Sequence, residues 1–529
     1  MTDTVADPGL DPTATYAVDV AEVRRLARLI TASPSAPVTR THSPLTGAPL
    51  ASWPTSSPQD VDVAVANARR AQRAWGRVPI EARGAILLRF HDLLLSEQSS
   101  LLDAIQLESG KARKHAFEEI AETATVARHY ARASAAYLRP RTHLGILPVL
   151  TQPVEHHRPK GVVGLVSPWN YPLSLSISDA LPALMAGNAV VLRPDLQATL
   201  TALRGAELLR RAGLPEGVLE IVVGDGPTTG QAVVDRADYI SYTGSTATGR
   251  AIAVSAAQRL VGASLELGGK NALYVAADAK VSRAVEGAVR SCFSSAGQLC
   301  ISTERVIVHR DIADQFVPRF VEAVKAMRLG TSLTWESDMG SLVGQRQLDT
   351  VTRHVDDAEA KGARVLAGGR ARPDLGPYMF EPTVLADVTE AMACRDEETF
   401  GPVVSIYVVD TDQEAIDLAN DTEYGLNASV WTRDVAKGRD IASRIKCGTV
   451  NINEGYGSAY GSAGAPMGGM KSSGIGRRHG RDGILKFTDA QTVAAQHLVG
   501  LGGLPGVSDE AFAKGLTLGL RALKGLGLR

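Results

Sequence analysis

A chain of 529 residues exceeds what one hydrophobic core usually organises and predicts two or three lobes. Lys plus Arg total 56 against 57 Asp plus Glu, so a net charge of −1 gives no electrostatic reason to expect nucleic acid as a partner. A hydrophobic content of 44% with 21% charged residues is that of an ordinary globular protein, and no apolar run is long enough to span a bilayer.

The N-terminus, MTDTVADPGLDPTATYAVDVAEV, is acidic. It lacks the basic region and apolar stretch of a secretory signal, and is no transit peptide. Residues 1–37 read as a loose leader with one short helix over Val18 to Thr31. From Pro58 to Leu138 the pattern is helical. Strand and helix signals then alternate. VVGLVS (162–167), AVVL (189–192), LEIVV (219–223) and YISYT (239–243) are each one strand long and precede a Gly, Pro or Ser turn and a helical stretch. That alternation predicts a parallel, doubly wound α/β sheet. A second alternating series from Gly268 onward, with NALYVAA, ERVIVHR, ARVLAGG, VVSIYVVD, ASVWTR and GTVNIN, predicts a second α/β lobe. Residues 142–159 are strand-like and broken by prolines, and 501–529 are rich in Leu and Gly with interspersed cations.

Cys292, Cys300, Cys394 and Cys447 fit no zinc spacing and form no disulfide framework, which points to a reducing cytoplasm with one reactive thiol among inert ones. Cys300 follows a small, Gly-containing turn, Ala296-Gly297-Gln298-Leu299, suited to an accessible nucleophile, although a lone Cys is more often a buried small hydrophobe. Glu266 lies between Leu265 and Leu267. A carboxylate in apolar surroundings suits general-base work, and the plainer alternative is a strand-end ion pair with Lys270. Asn170, bracketed by Pro168 and Pro172, is either a rigid oxyanion donor or a turn residue. The turn Gly244-Ser245-Thr246 opens a helix after a strand and offers an anion site or an ordinary cap. Gly224-Asp225-Gly226 is a weaker phosphate-binding candidate, because its third glycine comes one residue late.

Together these segments resemble the aldehyde dehydrogenase family. The carriers, in order, are PWN (168–170), GNAVVLRPD (187–195), TGSTATG (243–249), LELGGK (265–270), GQLC (297–300), EETFGPV (397–403), YGLNASV (424–430) and GG-x-K-x-SG-x-GR (468–477). The resemblance covers roughly residues 40–500. It implies a Rossmann-like cofactor domain (38–141 and 160–267), a catalytic α/β domain (268–480), a β-hairpin oligomerisation element (142–159 and 481–499) and a C-terminal extension (500–529). It further implies Cys300 as nucleophile, Glu266 as the base that activates water, and the Asn170 amide with the Cys300 N–H as oxyanion donors. On the cofactor side it implies Trp169, Asn170, Gly244 and Ser245 near the diphosphate and Leu267, Glu398 and Phe400 near the nicotinamide ribose. Arg193, Pro194, Asp195 and Leu196 would stand at the adenosine ribose. Many members carry Glu where this chain has Leu196, and that Glu binds the ribose hydroxyls and repels a 2′-phosphate. Leu196, with Arg193 able to grip a phosphate, implies NADP as the preferred cofactor over NAD, with Asp195 as a counter-argument. No metal is implied.

Within the family, whole stretches resemble actinobacterial succinate-semialdehyde dehydrogenases of the second type. Well-studied enzymes for that substrate carry arginines at the positions of Ser178 and Ser294, so here the distal carboxylate would meet hydroxyls instead. Their second cysteine, two residues after the nucleophile, is replaced by Ser302, which removes a disulfide switch. Oxidation of another aliphatic or aromatic aldehyde, a CoA-acylating relative and a non-catalytic protein that keeps the fold remain alternatives; Glu266 argues against the acylating one. The implied partners are a small aldehyde and further copies of the chain, as a homodimer or homotetramer. The C-terminal tail would pack on a neighbouring subunit, contact a membrane surface or stay disordered.

Overall fold

The computed structural model describes residues 18–145, 151–497, 500, 502–503 and 505–527. Residues 1–17 of the expected leader, 146–150 and 498–499 of the expected hairpin element, and 501, 504, 528 and 529 of the extension lie outside them.

Two parallel sheets organise the chain. The first runs in the order Gly474–Ile475, Gly262–Glu266, Tyr239–Thr243, Val162–Ser167, Ala189–Pro194, Leu219–Ile221. Five of its strands are parallel, and only the short Gly474–Ile475 strand runs antiparallel, against Glu266 and Leu265. The chain starts in the middle, at Val162–Ser167, and winds first to one side and then to the other. The strand order therefore reverses between Val162–Ser167 and Tyr239–Thr243, the place where open α/β sheets offer a crevice beyond their C-terminal strand ends. These strands read as continuous apolar runs because both faces are covered. Val162–Ser167 and Tyr239–Thr243 are buried at every position.

The second sheet has seven strands, ordered Arg364–Ala367, Thr383–Ala386, Val403–Val409, Thr303–His309, Asn271–Val275, Asn427–Trp431, Thr449–Ile452. All are parallel except the edge strand Arg364–Ala367. One face packs on Phe293, Phe316 and Phe320, the other on Ala415, Ile416 and Ile441. Residues 474–475, expected in the second lobe, thus complete the edge of the first sheet.

A third, three-stranded sheet joins Thr488–Gln496 to Thr151–Pro159 in unbroken register, with Arg141–Thr142 beyond. Thr488–Gln496 is its edge and is exposed after Thr488.

The expectation for the N-terminus changes. The N-terminal helix spans only Val20–Ala27, capped by Asp19, and it is not loose: Val18, Leu26 and Ile30 are buried in the first core and Ile30 pairs with Ile221. An antiparallel pair, Val38–His42 with Pro49–Pro54, follows it; its prolines hide the alternation. At the other end Asp509–Gly525 forms a helix with no buried residue.

Candidate active site

The strand Val162–Ser167 ends in Pro168-Trp169-Asn170, and Tyr239–Thr243 ends in Gly244-Ser245. Both turns therefore open onto the crevice at the strand-order reversal. Ser245 caps the helix Thr246–Gln258, its hydroxyl accepting the Thr248 N–H, so the helix's positive end points the same way. Glu266 closes the neighbouring strand. Cys300 enters from the other lobe, three residues before the strand Thr303–His309. The result is a cavity of about 620 Å3 whose walls include Trp169, Asn170, Ser245, Glu266, Cys300 and Glu398.

The turn that presents Cys300 is strained. Ser295 (φ 53°), Ala296 (φ 55°) and Gly297 (φ 70°) lie consecutively in the left-handed region, at a cost of about 1–3 kcal/mol for each non-glycine residue. Asn271 holds the far side of this turn: its Nδ2 donates to the Cys300 and Ser302 carbonyls, both at 2.7 Å. Gly269 lets that backbone close in, since a Cβ there would stand 2.8 Å from the Cys300 oxygen. Cys300 is partly exposed, whereas Cys292, Cys394 and Cys447 are buried.

Asn170 is fixed at both ends. Its carbonyl accepts the Lys111 ammonium at 2.7 Å, and one amide N–H donates to the Gln298 carbonyl at 3.0 Å. An amide carries two N–H donors, so one remains for a ligand. Lys111 is itself buried against Glu119 at 2.7 Å, and Glu119 also accepts the Leu173 and Ser174 N–H groups. This pair was not legible in the sequence: Lys111 sits 59 residues before Asn170 with no pattern to mark it.

Burial dominates the electrostatics. It pushes Glu266 up to about 7, against the pull of Arg478 and Lys486, and Glu266 Oε1 has no hydrogen-bond partner. Lys270 does not pair with Glu266. Its ammonium is bound by Glu304, whose carboxylate also accepts the Thr399 and Phe400 N–H groups. Burial likewise raises the Cys300 thiol to about 12 and Glu398 to about 8. The resting groups are thus a thiol and a carboxyl that titrates near neutrality.

The aldehyde dehydrogenase family matches residues 31–493. A protein from Mycolicibacterium smegmatis named "Putative succinate-semialdehyde dehydrogenase", with NADP(+) as its stated nucleotide, is 50% identical over 97% of this chain and 99% of its own. A "4,4'-diapolycopene aldehyde oxidase" from Methylomonas sp. is 36% identical over 84% of this chain and 83% of its own. Among solved structures, PnpE in complex with nicotinamide adenine dinucleotide superposes with a TM-score of 0.84 at 35% identity, covering 88% of this chain and 95% of PnpE. The chain belongs to the aldehyde dehydrogenase family.

In this aldehyde dehydrogenase the residues expected at the cofactor divide into two groups. Trp169, Gly244, Ser245, Leu267, Glu398 and Phe400 line the Cys300 cavity. The Phe400 backbone lies in the left-handed region (φ 51°), and its ring meets Trp169 edge to face at 5.7 Å. Glu398 accepts the Gly269 N–H at 3.0 Å. Arg193, Pro194, Asp195 and Leu196 are not among the cavity walls, although Gln197 is. The Arg193 guanidinium does not reach out as the sequence suggested. It is 6% exposed, and its Nε and Nη2 both donate to the Gly224 carbonyl. One edge of the fork therefore fastens the Gly224 turn. Asp195 spends one carboxylate oxygen capping the Gln197 N–H.

Neither Ser178 nor Ser294 lines the Cys300 cavity. Ser178 is 2% exposed and donates to Glu122 at 3.0 Å. Ser294 donates to the Arg290 carbonyl one turn earlier and borders a second cavity of about 610 Å3, with Lys114, Glu118, Arg290 and Glu454 in its walls. Cys300 packs against an apolar cluster that includes Tyr171, Leu175, Tyr456, Tyr460 and Met467. The Tyr456 hydroxyl donates to Glu118, and Arg290 lies over its ring at 5.4 Å. The sequence reading missed further residues from Val343–Thr350, Arg346 and Gln347 among them, that wall the Cys300 cavity. Among the described residues no helix is long and apolar enough to cross a membrane.

Proposed function

We propose that this enzyme oxidises an aldehyde to a carboxylic acid through covalent capture on Cys300, with succinate semialdehyde as substrate and NADP as cofactor. The observation that carries the reading is the convergence of Cys300, Glu266 and Asn170 on one cavity whose other walls suit a dinucleotide. The capped helix end at Ser245, the Glu398 carboxylate and the Trp169–Phe400 ring pair offer an anion site, a ribose acceptor and a ring-sized slot. When bound, the nicotinamide accepts a hydride.

Cys300 loses its thiol proton to Glu266 and its sulfur adds to the aldehyde carbon. The free Asn170 N–H and the Cys300 N–H hold the oxygen as it gains charge, where fixed donors are worth several kcal/mol. After oxidation at that carbon Glu266, having released the thiol proton to solvent, takes a proton from water. The hydroxide adds to the thioester, and Cys300 leaves as the acid is released. The first sheet and its helices serve as the cofactor lobe and the seven-stranded sheet as the catalytic lobe. The exposed edge Thr488–Gln496 serves pairing with a second copy.

The names of the similar mycobacterial and mycolicibacterial proteins support succinate semialdehyde and NADP. Arg290, one helical turn from Ser294, lies in the second cavity and is paired with Glu118 and Glu454, whereas Arg346 is a cation in the walls of the Cys300 cavity. A second reading, an apolar aldehyde, is favoured by the tyrosine, leucine and methionine side chains packed around Cys300. A panel of succinate semialdehyde, butanal and benzaldehyde with each nucleotide tests both. The main reading expects kcat/KM for succinate semialdehyde at least about tenfold above butanal, since a paired carboxylate is worth about that; the reverse order selects the apolar reading. Cys300→Ala should abolish turnover with every aldehyde and leave nucleotide binding intact. Turnover near the parental rate refutes the covalent route.

A further inference from the structure

Behind Glu266 lies a buried charged cluster that neither the motifs nor the cavity accounts for. Arg478 is 6% exposed, and its guanidinium is bound by Asp179. Glu122 adjoins, accepting the Ser178 hydroxyl at 3.0 Å and facing His479 Nε2 at 3.2 Å. The backbone at His479 is held in the left-handed region (φ 63°), a strained setting for a buried non-glycine residue.

The cluster is stitched to the site by its own backbone. Arg478 and Met467 exchange N–H···O bonds at 2.7 and 2.8 Å, and Met467 belongs to the apolar group against which Cys300 packs. The next residue, Gly468, backs directly onto the base: a Cβ there would stand 3.1 Å from Glu266 Oε1. Gly474 pairs with Glu266 itself. Three polar atoms in this region, Glu266 Oε1, Arg478 Nε and His479 Nδ1, have no hydrogen-bond partner. A purely structural ion pair is ordinarily satisfied in full, so three unpartnered polar atoms within one buried charged cluster mark it as having another role.

We propose that Arg478, anchored by Asp179, is a positioning residue for the reaction: a permanent buried cation that favours the anionic forms of both Cys300 and Glu266. The charged groups facing Glu266 are Arg478, Lys486, Asp179 and Arg477, and Arg478 is the strongest influence among them. Those facing Cys300 are Arg478, Glu398 and Glu266; both carboxylates oppose ionisation, and Arg478 is the cation that favours it. Lys486 is a poorer source of charge, because burial pulls its own pKa down. A guanidinium stays charged at any working pH and cannot relay a proton, so Arg478 acts through its field. Asp179 and Glu122 keep that cation in place. Ser178 thereby finds its partner in this cluster rather than in a substrate.

This inference rests on Cys300 as nucleophile and Glu266 as base, and its test separates the two. Alkylation of Cys300 by iodoacetamide, followed across pH by mass spectrometry of its peptide, reads the thiolate without turnover. The pH profile of kcat reads Glu266. Arg478→Gln is expected to slow alkylation at pH 7.5 about tenfold and to move the acid limb of kcat up by about one unit, with KM for the aldehyde little changed. Arg478→Lys should stay within about threefold of the parent. Asp179→Asn removes an opposing charge, while its amide oxygen can still accept from the guanidinium and hold the cation in place; it should move the acid limb the other way, and it keeps the test open if Arg478→Gln fails to fold. An alkylation profile and an acid limb that do not move in Arg478→Gln overturn the proposal, as does an upward shift or no shift in Asp179→Asn.

Discussion

Glu266 should make both activity and stability depend on pH in a calculable way. Burial lifts its pKa from 4.5 to about 7. A base with that value is about one tenth ionised at pH 6 and about nine tenths at pH 8, so kcat limited by Glu266 should rise about tenfold over that interval. The same shift affects folding with the opposite sign. A carboxyl raised above its unfolded value costs nothing below about pH 4.5, where both states are protonated. The cost grows as pH rises and is complete above about 7. A shift of about 2.5 units corresponds to about 3 kcal/mol. Glu266→Gln, which cannot ionise, should therefore gain stability relative to the parent between pH 4.5 and 8, by up to about 3 kcal/mol, while losing turnover. Urea unfolding of both proteins at pH 5, 6, 7 and 8 measures the gap, and every titration the two share cancels in the difference. A gap that stays flat with pH refutes burial as the source of the shift; a flat kcat profile over pH 6–8 refutes Glu266 as the limiting base.

Two further changes address the cofactor and the scaffold. Leu196→Glu should move the ratio of kcat/KM values from NADP toward NAD by about tenfold or more, because the new carboxylate repels a 2′-phosphate and can accept ribose hydroxyls; an unchanged ratio refutes the reading of that turn. Lys111→Met leaves Glu119 buried without its cation and Asn170 without its carbonyl partner. It should cost about 3–5 kcal/mol in urea unfolding, and a loss below about 1 kcal/mol would show that the backbone N–H groups alone satisfy Glu119.

The sequence was most legible where one local cause acts alone. Val162–Ser167 and Tyr239–Thr243 end where their apolar runs end, because strands buried on both faces need nothing else. Glu266 stood out for a related reason: a carboxylate between leucines must be buried or paired. Legibility failed where a side chain chooses among partners far away in sequence. Arg193 looked like a free phosphate ligand, but the Gly224 carbonyl, 31 residues on, offers its fork a buried acceptor. Ser178 and Ser294 stand at the right offsets from Asn170 and Cys300. Yet Ser178 ends one turn of π-helix, Ser174–Ser178, and its hydroxyl meets Glu122, while Ser294 turns back on its own helix. Offsets place a Cα; they do not aim an oxygen.

The residues that hold the site together were invisible for a deeper reason. Cys300 approaches from the N-terminal end of a strand in one sheet, and Glu266 and Asn170 follow the C-terminal ends of strands in the other. Their mutual placement depends on whatever spans the two lobes. Asn170 reaches across the lobes to Gln298; within the second lobe Asn271 holds the Cys300 carbonyl and accepts the Asn427 N–H, and Gln298 in turn accepts the Val343 N–H. Each is an amide with both donor and acceptor, able to serve two backbone groups at once without burying a charge. An isolated Asn or Gln carries no periodicity or motif, so nothing local reveals this chain of amides. Asn271 follows directly on LELGGK, and Gln298 lies inside GQLC. The motifs that point to chemistry thus also carry, or directly adjoin, the bonds that fix the Cys300 turn and tie it to Asn170 in the other lobe.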